Sequence, residues 1–153
     1  MLKTDESPQQ QTLANEVEAA ATRIADSVIK SPLQISERLS AATGSTVYLK
    51  REDLQMVRSY KIRGAFNFML QLDETERARG VVCASAGNHA QGFARACKEL
   101  GIQGTIFVPK TTPRQKIERV RHFGGDRVTI EISGSTYDDA SALAHRYAER
   151  NDA

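Results

Sequence analysis

A lysine follows a hydroxyl and an aromatic at Ser59-Tyr60-Lys61, inside the stretch Leu49 to Ala65 (LKREDLQMVRSYKIRGA). There a strand-like segment gives way to an amphipathic helix, with the small pair Gly64-Ala65 just beyond. The positive end of a helix dipole disfavours an ammonium, so a lysine at a helix start is a candidate amine nucleophile toward an aldehyde. The residues alone leave a second reading open, a salt-bridged surface lysine. A second segment, Val81 to Gly92 (VVCASAGNHAQG), reads as an apolar strand, a polar loop and then a helix. The loop Ser85 to His89 leaves main-chain N–H groups free at the helix start, a site suited to an anion such as a carboxylate.

Together the two segments resemble the fold type II pyridoxal-phosphate enzymes, the tryptophan-synthase β type, and within them most closely the threonine dehydratases (threonine ammonia-lyases). The resemblance runs from about Ser31-Pro32 to the C-terminus, through Lys50-Arg51-Glu52-Asp53, the Lys61 motif, the 85–89 loop and Phe107-Val108-Pro109. It implies pyridoxal 5'-phosphate as cofactor and a small amino acid as substrate. Lys61 would be the amine that bonds the cofactor's aldehyde carbon until a substrate displaces it, and would then move protons at the substrate Cα. Asn88 would hydrogen-bond the phenolic oxygen of the cofactor ring, an office an amide fills without titrating. The other reading of Asn88 is a loop residue tolerating a left-handed conformation. Ser85, Ala86, Gly87, Asn88 and His89 would shape the pocket for the substrate carboxylate. By its residue type alone, His89 is a structural hydrogen-bonding residue rather than a catalyst.

Ala86 separates two reactions within this resemblance. In the similar serine racemases a serine at the matching position donates a proton on the face opposite the lysine. Alanine cannot. Racemisation needs acid and base on both faces, whereas elimination can run from one, so Ala86 favours a dehydratase. Serine dehydratase and threonine synthase remain alternatives within the same chemistry. A noncatalytic Rossmann-like binding domain is the alternative from another class, and no Gly-x-Gly-x-x-Gly follows any strand pattern to support its nucleotide form. The family's run of four phosphate-cradling glycines has no counterpart here. The chain therefore looks like the amino-terminal part of a longer, homo-oligomeric enzyme, with little activity expected of these 153 residues alone.

The expected architecture is α/β, an open parallel sheet with helices on both faces. Residues 1–11 are polar and expected to be disordered. An N-terminal helical segment follows over 12–44, and a small α/β domain over 45–153. Leu13, Val17, Ala20, Ala21, Ile24 and Val28 share a helical face that stops before Ser31-Pro32, and a second helix runs from about Ile35 to Gly44. Strands are expected over 46–50, 81–84, 105–108 and 127–132. The intervening helices carry Ile62, Ala65, Phe66, Met69 and Leu70, then Ala90, Phe93, Ala94 and Cys97, then a segment opened by Pro113. A last helix carries Tyr137, Ala140, Ala144 and Tyr147. Short connections between alternating strands and helices argue for right-handed crossovers.

Composition narrows the remaining classes. The charge of +2 is small, and the densest cations (Lys110, Arg114, Lys116, Arg119, Arg121) surround Glu118 with no aromatic platform, which argues against nucleic-acid binding. No membrane partner is expected, since no apolar run reaches spanning length. Cys83 and Cys97 form no zinc spacing and no histidine pair suits a metal, so no metal is expected. Reduced, buried cysteines and the lack of a signal-like N-terminus point to the cytoplasm.

Overall fold

The computed structural model describes residues 8–153, with side chains from Thr12 onward. Three parallel strands form its centre: β3 (Val81–Ala84), β4 (Gly104–Val108) and β5 (Val128–Ile132), in the order β3-β4-β5. Register runs Val81 to Gly104 to Val128 across the sheet. Side chains alternate along each strand, so the sheet has two apolar faces. Ile106 and Val108 join the larger core with Phe66, Met69 and Phe93. Phe107, with Val82 and Ala84, faces the other way onto Ala140 and Ala144.

Helix α5 (Asn88–Leu100) links β3 to β4, and α6 (Arg114–Gly124) links β4 to β5. Both cover the face that holds Ile106. Helix α7 (Tyr137–Asn151) covers the opposite face, so the parallel sheet with helices on both sides is as expected. Helix α3 (Lys61–Met69) packs on α5 rather than on the sheet, burying Ile62, Ala65, Phe66 and Met69. Leu70 lies just past its end and is half-buried. The five cations around α6 are all exposed while Ile117, Val120 and Phe123 turn inward, the solvated face the sequence implied.

Several elements differ from the sequence reading. Residues 1–7 lie outside the described residues, and α1 (Pro8–Arg23) begins inside the stretch expected to be disordered. It ends well short of Ser31, in turns closed by Ala25 N–H to Thr22 and Ser27 N–H to Ile24. Asp26 and Ser27 can satisfy main-chain groups locally and so compete with helix. Of the expected apolar face, Ile24 is buried, whereas Leu13 and Val17 are exposed. The segment 12–44 also holds a strand. β1 (Leu33–Ile35) pairs antiparallel with β2 (Tyr48–Lys50), and α2 (Glu37–Thr43) connects them, ending at left-handed Gly44. Helix α4 (Glu74–Arg79) is short, buries none of its residues and has Ala78 as its one apolar residue, so no apolar period betrays it; the Asp73–Glu76 capping box starts it. Pro113 is the residue before α6, not its first turn. Tyr137 is 58% exposed at the start of α7, because only Ala140 and Ala144 approach the sheet closely enough to be buried.

Candidate active site

Lys61 is the first residue of α3, where the sequence put it. The preceding loop turns through Arg58, whose φ of 60° is left-handed and unusual for a residue with a side chain. Ser59 is buried, and its hydroxyl oxygen accepts the Lys61 main-chain N–H at 3.2 Å. Lys61 itself is exposed, with its Nζ 5.2 Å from the centre of the Tyr60 ring. No side chain caps α3 at Tyr60.

The 85–89 loop sits at the carboxyl end of β3, and α5 begins at Asn88. Ser85, two residues before the N-cap Gly87, accepts the N–H groups of Gly87 and Ala90, each at 3.3 Å, and so satisfies one first-turn donor of this helix. Its oxygen is thus occupied as an acceptor, and its own hydrogen is left to donate. Gln91 N–H reaches Gly87 O at 3.4 Å. The N–H groups of Asn88 and His89 find no acceptor among the described residues, nor does the exposed Asn88 amide find a partner. Asn88 has helical geometry and the left-handed non-glycine residues are Arg58 and Asp152, which removes the alternative reading of Asn88 as a left-handed loop residue. A Cβ placed on Gly87 would meet nothing within 4 Å, so the space before the helix start is open. Ala86 is half-buried against the larger core and presents only a methyl group.

The contact between α3 and α5 brings the two segments together. A Cβ on Gly92 would lie 3.0 Å from both Ile62 N and Ile62 Cα and 3.1 Å from the Lys61 carbonyl carbon. Gly92 therefore lets the main chain at Lys61 rest directly on α5. One helical turn back from Gly92 on the same face is Asn88. His89 responds to this closeness. Desolvation lowers its pKa below the usual imidazole value, and the Lys61 cation lowers it further. Its ring packs against Phe93, with centres 6.3 Å apart, rather than entering a hydrogen bond.

The Gly92 contact and a polar cluster behind Lys61 were not singled out in the sequence. Gly92 had a signal, since a glycine inside a helix pattern often marks a close approach. The cluster joins Glu52 and Arg63, eleven residues apart, and no periodicity reveals such a pair. Elsewhere, a groove of about 710 Å³ runs along the free edge of β3, past Phe68, Leu72 and Arg79, and meets this region at His89. It is a separate feature: Lys61 and Asn88 do not line it. His122 and His145 are exposed on α6 and α7, away from the site. Burial holds both thiols protonated, with Cys83 and Cys97 pushed up to about 12. Among the described residues no cluster of three metal-ligating side chains occurs, and no helix is long and apolar enough to cross a membrane.

An exposed amine at one helix start thus lies near a second helix start with unpaired main-chain donors, both beside a parallel α/β sheet. The chain belongs to the pyridoxal-phosphate dependent enzyme family, whose model matches residues 24–153. It is 57% identical over 138 residues to the biosynthetic L-threonine dehydratase IlvA of Mycobacterium tuberculosis, covering 90% of this chain and 32% of that protein. To its counterpart from Corynebacterium glutamicum it is 52% identical over 140 residues, covering 92% and 32%. Among solved structures, the processed form of threonine deaminase isoform 2 from Solanum lycopersicum superposes with a TM-score of 0.84 at 40% identity, over 98% of this chain and 40% of that one. Maize serine racemase gives 0.83 at 33% identity, over 91% and 41%. The chain spans about a third of the length of the curated relatives it matches.

Proposed function

We propose that this chain carries the lysine-bearing wall of a threonine dehydratase, which converts L-threonine to 2-oxobutanoate and ammonia. The observation that supports this reading is the helix start at Asn88, with its unused donors, held through Gly92 against the main chain of Lys61. The donor set suits the family's cofactor and an amino-acid substrate. Lys61 supplies an exposed primary amine, the Asn88 amide is unpartnered, and Gly87 leaves room for a planar group.

Bound there, pyridoxal phosphate supplies an electron sink for charge developing at the substrate Cα. The residues of this chain would bind and orient the substrate and move its proton. The free N–H groups of Asn88 and His89 and the Ser85 hydroxyl orient the substrate carboxylate at the positive end of α5. The Asn88 amide would donate to the cofactor ring oxygen. The Lys61 amine accepts the Cα proton, and the methyl group of Ala86 offers no second proton donor, which favours elimination over racemisation. Identities above 50% to proteins named threonine dehydratase favour threonine over serine as substrate.

The test is reductive trapping. The purified 153-residue chain is incubated with pyridoxal phosphate, reduced with borohydride and mapped by peptide. The label is expected on Lys61, and L-threonine added before reduction should lower it by competing for the same carbonyl. Label spread evenly over Lys50, Lys98 and Lys110 would refute the reading.

A further inference from the structure

We infer that Glu52, acting through Arg63, is a positioning residue that sets the direction in which Lys61 leaves α3; the inference rests on the role proposed above for Lys61. The side chain of Glu52 is 17% exposed and saturated with donors. Its two oxygens accept Arg63 Nη2 at 2.8 Å and Arg63 Nε at 2.9 Å, a two-pronged ion pair. Ser31 Oγ donates to the first oxygen, and Gln55 Nε2 to the second at 3.3 Å.

The same donors reach further. Gln55, 1% exposed, donates to Ile29 O at 2.8 Å and accepts Ile29 N–H at 3.2 Å. Arg63 Nη2 also donates to Ile29 O at 3.2 Å, and Lys50 Nζ donates to Ser31 O. Three separate pieces of chain, 29–31, 50–55 and the first turn of α3, are thereby tied at one carboxylate.

Geometry makes this cluster relevant to Lys61. Successive helical residues are turned by about 100°, so Lys61 and Arg63 point in directions about 200° apart. Clamping Arg63 onto Glu52 therefore fixes the rotation of α3 with Lys61 turned to the opposite side. Buried Ile62, Ala65, Phe66 and Met69 set which face of α3 meets the core, and the Glu52–Arg63 pair holds the first turn from the side opposite Lys61. Tyr60 offers no cap, and the loop before it is closed by turns around a left-handed Arg58. The Gly92 contact fixes how near α3 lies to α5, but a main-chain contact with a bare Cα leaves rotation freer than a forked ion pair does. The neighbouring pair Arg51–Asp53, 2.8 Å, makes no hydrogen bond to α3 among the described residues and supplies a control from the adjoining stretch.

The experiment reads the borohydride-trapped pyridoxyl label at Lys61 relative to Lys98 in the same molecules, well below each variant's melting temperature. Glu52→Gln keeps the shape and removes the charge. Arg63→Lys keeps the charge, yet cannot span both oxygens. Each is expected to lower the Lys61:Lys98 ratio at least tenfold, while Arg51→Gln leaves it within twofold. A purely structural role would lower the melting temperature without moving the ratio in the folded protein, and that result overturns the inference. If Glu52→Gln does not fold, Arg63→Lys decides. If neither folds, the cluster serves global stability rather than positioning, and the inference falls. Lack of a Lys61 preference in the unaltered chain would instead remove the proposed function itself.

Discussion

Gly92→Ala is the sharpest test of how α3 and α5 hold Lys61. A methyl group there would stand 3.0 Å from Ile62 N and Cα and 3.1 Å from the Lys61 carbonyl carbon, whereas ordinary contact begins near 3.4 Å. All three atoms are main chain, so none can swing away. The helices must part by at least about 0.4 Å, the difference between those distances. Two effects compete. Alanine inside a helix is worth about 1 kcal/mol over glycine. Overpacking a close contact costs about 1–3 kcal/mol, and a main-chain clash belongs toward the upper end of that range. Ile62 is 1% exposed and Arg63 is clamped to Glu52, so α3 cannot slide freely to relieve it. The clash wins, by about 1–2 kcal/mol, a fall of about 2–8 °C in melting temperature for a chain of this size. Gly64→Ala is the matching control, because a Cβ on that exposed helical glycine meets nothing within 4 Å. It should stabilise by about 0.5–1 kcal/mol. Thermal and urea unfolding of both variants, with Lys61 labelling alongside, checks the pair. Gly92→Ala as stable as the unaltered chain, with unchanged labelling, would refute the account of the contact.

Asn88→Ala should leave unfolding unchanged to within about 0.5 kcal/mol, since an exposed amide without partners contributes nothing to the core. Cofactor affinity should nevertheless fall by about 1.5–3 kcal/mol, measured by absorbance titration, for a lost hydrogen bond to a charged oxygen. Equal loss of stability without cofactor would refute that role. Acid should loosen the cluster behind Lys61. Hydrogen bonds from Arg63 above all, then from Ser31 and Gln55, outweigh desolvation and hold Glu52 at about 2 instead of 4.5. The unfolded chain then binds more protons between those values. Stability from Glu52 is thus fully present above about pH 4.5 and lost as pH falls toward 2. Urea midpoints across that window should decline, and Glu52→Gln should remove that part of the decline.

Much of this architecture was legible because the relevant forces are local. Val81-Val82-Cys83 and Ile106-Phe107-Val108 are apolar runs too short for helices and bounded by turn residues, and each became a strand covered on both faces. Ala90, Phe93, Ala94 and Cys97 mark one face of a helix that ends at left-handed Gly101, and all four are buried. Lys61 was legible as a helix start because the apolar period begins at Ile62. The elements missed are those whose stability is not written in an apolar period. Glu74–Arg79 buries none of its residues and depends on its capping box. The three-residue strand Leu33–Ile35 exists through its pairing with Tyr48–Lys50, across a helix-length separation.

The site divides along the same line. Each half carries its own local sign: a lysine where a helix begins, and a polar loop that opens another helix. What brings the halves of the candidate site together is non-local. A missing side chain at Gly92 lets two main chains touch, and a carboxylate at Glu52 gathers donors from three pieces of chain. Neither effect follows from propensity or period, because each depends on which residues the fold has already brought near. The same reasoning explains why Lys61 can stay exposed yet still be directed. Its side chain makes no hydrogen bond of its own among the described residues, and its placement is carried by the buried neighbours on either side of it, Ser59 and Ile62, and by the clamp at Arg63. In the role proposed for Lys61, an amine that forms and releases a bond is better held by its backbone than by a partner that would compete for its lone pair.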